Sequence, residues 1–285
     1  MQLQKHGIEC ELVSSIPEAG VILSHSDFWP SSVRPSATQL FVEIKPDRQK
    51  IVRYAQMTVV QSSLDPLLNS HLARAGRVEV VNYWPQPGLI PRDPNRADGI
   101  KAAGFFGNKE SFLREVVKLH SELASIGLSF TMVPRSLWND YSQVDLIIAV
   151  RNNSAFLSKA VRPHLRVELK PPNKLTNGWL AGVPSILSPE PSYLQLRRSK
   201  ADFIIASTID DIVSAAKHLK DNRLAYLEMR NNCGIRATEF GAAMVREQWK
   251  GLIEEKLVPA YRRWTTSKVY RYFISLSDGF LKTPQ

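Results

Sequence analysis

Residues 170–187 read KPPNKLTNGWLAGVPSIL, and the order of residue types in this stretch decides the fold. Pro171 and Pro172 disfavour helix before Asn173, and Asn173 is a good N-cap. The spacing predicts a short helix from Asn173, stopped by Gly182 and Pro184, and a buried strand over 183–187. The free N–H groups of the first turn then face an anion best. Lys170 and Lys174 bracket that turn, so two ammonium groups join the partial positive charge of the helix end, as a diphosphate requires. The same order also describes any αβ unit with a polar surface loop, so the neighbouring segments carry the choice.

Those neighbours alternate between strands and helices. After residue 100 the pattern predicts a strand over 101–106 and a helix over 110–126 with an apolar stripe through Phe112, Val116, Leu119 and Leu123. Further strands are expected over 129–133, 146–150 and 203–206, the last followed by a helix start at Asp210 and Asp211. Strands and helices at this spacing imply an α/β fold with a doubly wound parallel sheet, whose ligands lie at the carboxyl ends of the strands. A glycine turn ends the first of these strands. Gly107 lets backbone approach a ligand closely, with Asn108 and Lys109 beside it. Neither the GxGxxG dinucleotide fingerprint nor a P-loop is present.

Before residue 85, short β-branched runs over 21–24, 39–44, 57–61 and 78–83 predict a first sheet. Pro85, Pro87, Pro91 and Pro94 then break all periodicity, with Gly88 and Gly99 nearby, and read as a linker. The division expected is 1–90, 91–255 and a C-terminal segment over 256–285.

Composition narrows the partners. The chain has 285 residues, 44% of them hydrophobic and 22% charged, which describes an ordinary globular protein. Its formal charge is +10, which favours an anionic ligand. Zinc-finger spacing, an RNP-like strand and long basic tracts are absent, so no nucleic acid is expected. Cys10 and Cys233 lie far apart without CxxC or Cys/His ligand spacing, so neither zinc nor a disulfide framework is indicated. No stretch has the length of a leader's apolar core or of a membrane span, and a cytoplasmic setting is the expectation.

The segments GFFGNK (104–109), AVRN (149–152), KPPNKLTNGWLAGVPSIL, PEPSY (189–193) and RNNCGIRATEF (230–240) before Trp249 run in a familiar order. Over residues 99–249 the chain resembles the donor half of GT-B glycosyltransferases, of the group 1 or family 4 kind. QMTVVQSSLDPL (56–67) with VEVVNYWPQPGL (78–89) is similar to the end of their acceptor domain. The resemblance implies two Rossmann-like domains facing across a cleft and a C-terminal helix returning to the first. It also implies a nucleotide-sugar donor in the second domain and no obligatory metal or other cofactor. The acceptor it implies is a glycan, a lipid-linked sugar or a protein.

One family pattern is broken. Aligning on Gly182, Val183 and Pro184 puts Leu169 and Asn177 where many retaining members carry two glutamates. Asn177 can still hydrogen-bond ribose hydroxyls, while the stereochemical outcome stays open. By the same resemblance Arg151, Glu190, Ser192 and Tyr193 join Gly107, Asn108, Lys109, Lys170, Asn173 and Lys174 as donor-binding residues. Without a metal, leaving-group charge falls on cations and helix N–H groups. His25 and Asp27, in LSHSDFW, are the expected acceptor base. A non-catalytic nucleotide-sugar or glycan binder of the same fold is the alternative. The C-terminal stretch combines Lys256, Arg262, Arg263, Lys268 and Arg271 with Tyr261, Trp264, Tyr270, Tyr272 and Phe273. It reads either as packing on the first domain or as peripheral contact with an anionic membrane surface.

Overall fold

A computed structural model describes residues 3–4, 7–30, 32–47, 51–96, 98–151 and 169–279. The chain divides by Cα packing into two compact units. One is Met1–Tyr83 with Leu169–Pro171 and Ala243–Gln285, and the other is Trp84–Glu168 with Pro172–Ala242.

The first unit is built on four parallel strands, β1 (Gly20–His25), β2 (Gln39–Lys45), β3 (Met57–Val60) and β4 (Val78–Val80), in that spatial order. Each falls within one of the β-branched runs or extends it by a residue, and β4 stops short of the expected 83. Beyond Val80 the chain leaves the sheet, and Asn82 N donates instead to Gln248 Oε1 at 2.9 Å. One face of β1 and β2 buries Ile22 and Phe41 with Trp29, whose ring lies 4.5 Å from that of Phe41.

Two-residue alternation carries Glu43 and Lys45 onto the Phe41 face. Lys45 Nζ meets Asp65 Oδ2 at 2.5 Å, with both side chains buried. Glu43 Oε2 accepts from Thr58 Oγ1 at 3.2 Å, and Glu43 Oε1 has no hydrogen-bond partner. Burial pushes the Glu43 carboxyl above the usual range. A one-turn helix, α1 (His71–Arg74), precedes β4.

The second unit carries β5 (Ala102–Phe105), β6 (Ser129–Met132), β7 (Leu146–Ala149), β8 (Ser185–Leu187) and β9 (Ile204–Ile205), all parallel, in the order β6-β5-β7-β8-β9. From β5 the chain goes one way to the edge strand β6, then crosses back over β5 to β7. The connections therefore reverse between β5 and β7. Among the described residues the helices of this unit are α2 (Val116–Ser125), α3 (Asn173–Ala181), α4 (Pro191–Leu194), α5 (Ile209–Asp221) and α6 (Arg223–Phe240). Helix α5 starts in a capping box, with Asp211 N donating to Thr208 Oγ1 and Thr208 N to Asp211 Oδ2.

Helix α2 is shorter than the apolar stripe predicts. Phe112 is extended and buried, its ring 4.4 Å from Phe105 and 5.7 Å from Phe130, so the chain leaves helical geometry to deliver it to the core. A 3-10 turn over Lys109–Ser111 precedes it, and only Val116, Leu119 and Leu123 of the stripe are helical.

The proline-rich passage is no free linker. Ile90 N donates to Asn139 O and accepts from Tyr141 N through its carbonyl, while Arg92 N donates to Ala181 O at 2.9 Å. Arg92 and Arg96 both bond Asp145, which also accepts from the N–H groups of Lys101 and Ala102. Proline removes regular structure there, yet the remaining N–H groups are pinned to the second unit.

Beyond α6 come α7 (Ala242–Leu252), a π-helical turn over Ile253–Leu257, α8 (Val258–Thr266) and α9 (Lys268–Gly279). Helix α8 packs on β1 and β2, and Trp264 Nε1 donates to Ser36 O at 2.9 Å. No helix among the described residues is long and apolar enough to cross a membrane.

Candidate functional site

The reversal between β5 and β7 opens a cleft at the carboxyl ends of those strands, where ligands of doubly wound sheets bind. Phe105, Ser111, Ala149, Arg151, Lys174 and Glu190 line it. Phe105 closes β5, Ala149 closes β7, and Lys174 stands in the first turn of α3.

Helix α3 lies as its sequence dictates. Gly182 ends it at φ 69°, the left-handed conformation that glycine adopts without strain. Leu175 and Trp179 bury one face, and Trp179 Nε1 donates to Asp202 O at 3.1 Å. At the other end Asn173 is the first helical residue, not the cap. Pro172 takes the cap position, its carbonyl accepting Thr176 N at 3.0 Å, and no side chain caps the helix. The N–H groups of the first turn thus have no side-chain cap to satisfy them.

Lys174 Nζ stands 5.8 Å from the centre of the Phe105 ring. Gly107 explains why the turn after β5 is tight: a Cβ there would lie 2.8 Å from Phe105 Cζ and 3.0 Å from Lys174 Cε. Asn108 and Lys109 are exposed on the 3-10 turn, where Asn108 O accepts from Ser111 N and Oγ.

Opposite Lys174, Arg151 Nε donates to Glu190 Oε1 at 2.7 Å, and Arg151 N donates to Ser188 Oγ at 2.6 Å. The Glu190 side chain is 2% exposed. Its Oε2 and the hydroxyl of Ser192 are buried with no hydrogen-bond partner in the chain. Buried polar atoms are nearly always satisfied, so the Glu190 oxygen, at the cleft lining, is the strongest sign of a ligand at the site. Its need is for a hydrogen-bond donor of the kind that sugar hydroxyls supply.

Three expected residues are held by other contacts. Lys170 belongs to the first unit, and its ammonium is paired with Asp47. The nearest carboxylate has taken it. Tyr193 is a core residue, 2% exposed and edge-on to Phe203, and burial pushes its hydroxyl well above the usual tyrosine range. Asn177 is buried, its Oδ1 accepting from Gln86 N at 3.2 Å and its side chain bonding Tyr141, so the amide holds the proline-rich passage. Leu169 is buried as well. Asn152, the end of the AVRN segment, lies outside the described residues.

In the first unit His25 Nδ1 accepts from Asp27 N at 3.1 Å and lies 3.8 Å from Asp27 Oδ2. A neutral ring held this way carries its proton on Nε2. Sequence reading missed Ser188, Phe105 and Ser111. Ser188 stands directly before PEPSY, but nothing in its type marks it as the acceptor of Arg151 N. Among the described residues no group of three or more His, Cys, Asp or Glu is disposed to hold a metal.

No protein-family model matches the chain, and no curated protein sequence matches it. Solved structures do match. The chain is similar to TarM at a TM-score of 0.53 and 8% identity, covering 84% of this chain and 56% of that one. It is similar to Anabaena Alr3699/HepE in complex with UDP at 0.52 and 11% identity, covering 76% and 72%. A structure of accessory secretory protein 1, 2 and 3 from Streptococcus pneumoniae matches at 0.50 and 16% identity, covering 85% and 53%. The chain therefore shares, at the level of fold, the architecture of GT-B glycosyltransferases, and spans about half the length of TarM and of the accessory secretory protein.

Proposed function

We propose that the chain is a glycosyltransferase of GT-B type that moves a sugar from a nucleotide-sugar donor to a glycan, lipid-linked or protein acceptor without a metal. The observation that carries this reading is the buried Glu190 Oε2, unpartnered in a cleft that Arg151 and Lys174 also line at the β5–β7 reversal. Its support is a fold shared with a protein crystallised with UDP.

The proposed roles follow from charge. Lys174, the first turn of α3 from Asn173, and Lys109 with the backbone at Gly107 and Asn108 receive the diphosphate, where leaving-group charge grows. Glu190 and Ser192 meet sugar hydroxyls, with Arg151 holding the carboxylate in place. The acceptor hydroxyl oxygen forms the new bond to the anomeric carbon. The bond from that carbon to the phosphate oxygen breaks, its electron pair staying on the diphosphate. The hydroxyl proton goes to the Asp27 carboxylate, because Nε2 of the neutral His25 ring already carries a proton and its Nδ1 lone pair accepts from Asp27 N.

A second reading has its own observation. Leu169 and Asn177 stand in place of two glutamates, one buried and the other bonded to Gln86 and Tyr141. That favours a binder that holds nucleotide-sugar without turning it over. Calorimetry with UDP, GDP, ADP and their sugars, followed by assay of nucleoside diphosphate release, separates the two. Binding with release supports the enzyme, binding without release supports the binder, and binding of none overturns both.

A further inference from the structure

Helix α9 presents an apolar stripe to solvent. Val269, Tyr272 and Phe273 are 64%, 61% and 63% exposed, and their i, i+3, i+4 spacing sets them on one face. The opposite face is anchored. Ile274 is buried, and Arg271 Nη1 donates to the carbonyls of Trp264 and Thr265 at the end of α8. The helix is thus held in place with its aromatic side outward. Lys268 is exposed one turn from Tyr272, and exposed Arg263 lies against α9 with its guanidinium 5.8 Å from the Tyr270 ring.

We infer that this face docks the protein on an anionic lipid surface. A stable protein dimer needs about 800 Å² buried on each partner, far more than three side chains on two turns supply. Lipid binding asks less: a few aromatic and aliphatic groups enter the headgroup boundary while neighbouring cations meet the negative surface. Tyrosine, with an apolar ring and a polar tip, suits that boundary. Charge complementarity extends over the segment, since residues 243–285 carry eight Lys and Arg against four Asp and Glu.

The test is co-sedimentation of the full chain with vesicles of phosphatidylcholine containing about a quarter phosphatidylglycerol, against phosphatidylcholine alone. The anionic vesicles are expected to pellet the protein, and raising salt from about 0.1 M to about 1 M to release it. Tyr272→Ser with Phe273→Ser, and separately Lys268→Glu with Arg263→Glu, are each expected to weaken binding about tenfold or more. All four side chains are exposed, and circular dichroism checks that both variants keep their fold. Three outcomes overturn the inference: no pelleting of folded protein by anionic vesicles, binding by both variants as tight as that of the parent, or a dimer in sedimentation velocity that is lost with Tyr272 and Phe273.

Discussion

Arg151 Nε meets Glu190 Oε1 at 2.7 Å and so ties the residue after β7 to the turn after β8 across the carboxyl edge of the sheet. With Glu190 2% exposed, its charge rests on this partner. Removing one member of a buried ion pair costs about 3–5 kcal/mol, because the other charge is stranded. Arg151→Ala should therefore lower the urea midpoint sharply, and adding Glu190→Gln should recover most of the loss. If the double variant is as unstable as the single one, the pair does not hold the edge.

Lys174→Ala should weaken nucleoside diphosphate binding about ten- to a hundredfold, the worth of a hydrogen bond to a charged group, and barely touch nucleoside binding. Isothermal titration with UDP and uridine reads the difference directly. Equal losses for both ligands would take Lys174 away from the phosphate.

Gly107→Ala puts a methyl group 2.8 Å from the Phe105 ring and 3.0 Å from the Lys174 stem. The lysine can swing away, but the ring is packed on Phe112. A stability loss of about 1–3 kcal/mol is expected by denaturant unfolding, together with weaker nucleotide binding as Lys174 is displaced. A variant of unchanged stability would mean that the turn has room.

Two carboxylates should respond to pH in opposite senses. Burial alone would raise Asp145, but the Arg96 guanidinium and the N–H groups of Lys101 and Ala102 bring it below the usual range. Its stabilisation is present above the unfolded value of about 4 and is lost as pH falls through the native one. Glu43 is raised by burial, so the folded state keeps its proton longer than the unfolded chain does, and stability falls as pH rises from about 4 through the native value. Asp145→Asn should flatten the acid limb of a stability–pH curve. Glu43→Gln should raise stability above that upper window and leave the acid limb alone. A Glu43→Gln protein with an unchanged curve would mean that the Glu43 carboxyl titrates alike in the folded and unfolded chain.

The turnover step has its own check. Asp27→Asn is expected to keep nucleotide binding, since it lies in the other compact unit, and to lower nucleoside diphosphate release about a hundredfold or more, the usual worth of a general base. Release at the parent rate from this variant would remove Asp27 from the mechanism.

Much of the fold was legible because its signals are local. β-branched runs found the strands, and glycine with proline ended α3. What sequence could not show was the set of long-range partners. Phe112 obeys the helical stripe but is drawn off it by Phe105 and Phe130, which arrive from other strands. Lys170 looks like a phosphate ligand until Asp47, distant in sequence, takes it. Tyr193 sits three residues from Glu190 in PEPSY, yet one faces Phe203 in the core while the other lines the cleft. Asn173 reads as a cap by type, but the Pro172 carbonyl starts the helix a residue earlier.

The first unit is assembled from both ends of the chain, with Trp264 fastened to Ser36, whereas the second is drawn from the stretch between them. On the ribosome, where segments emerge in order, the amino-terminal strands must wait for the last helices before their sheet is covered. The middle of the protein can close first, reversing the usual amino-to-carboxyl order of co-translational folding. Stalled nascent chains ending near residue 245 should accordingly yield a protease-resistant core from the middle, with the first eighty residues still cleavable.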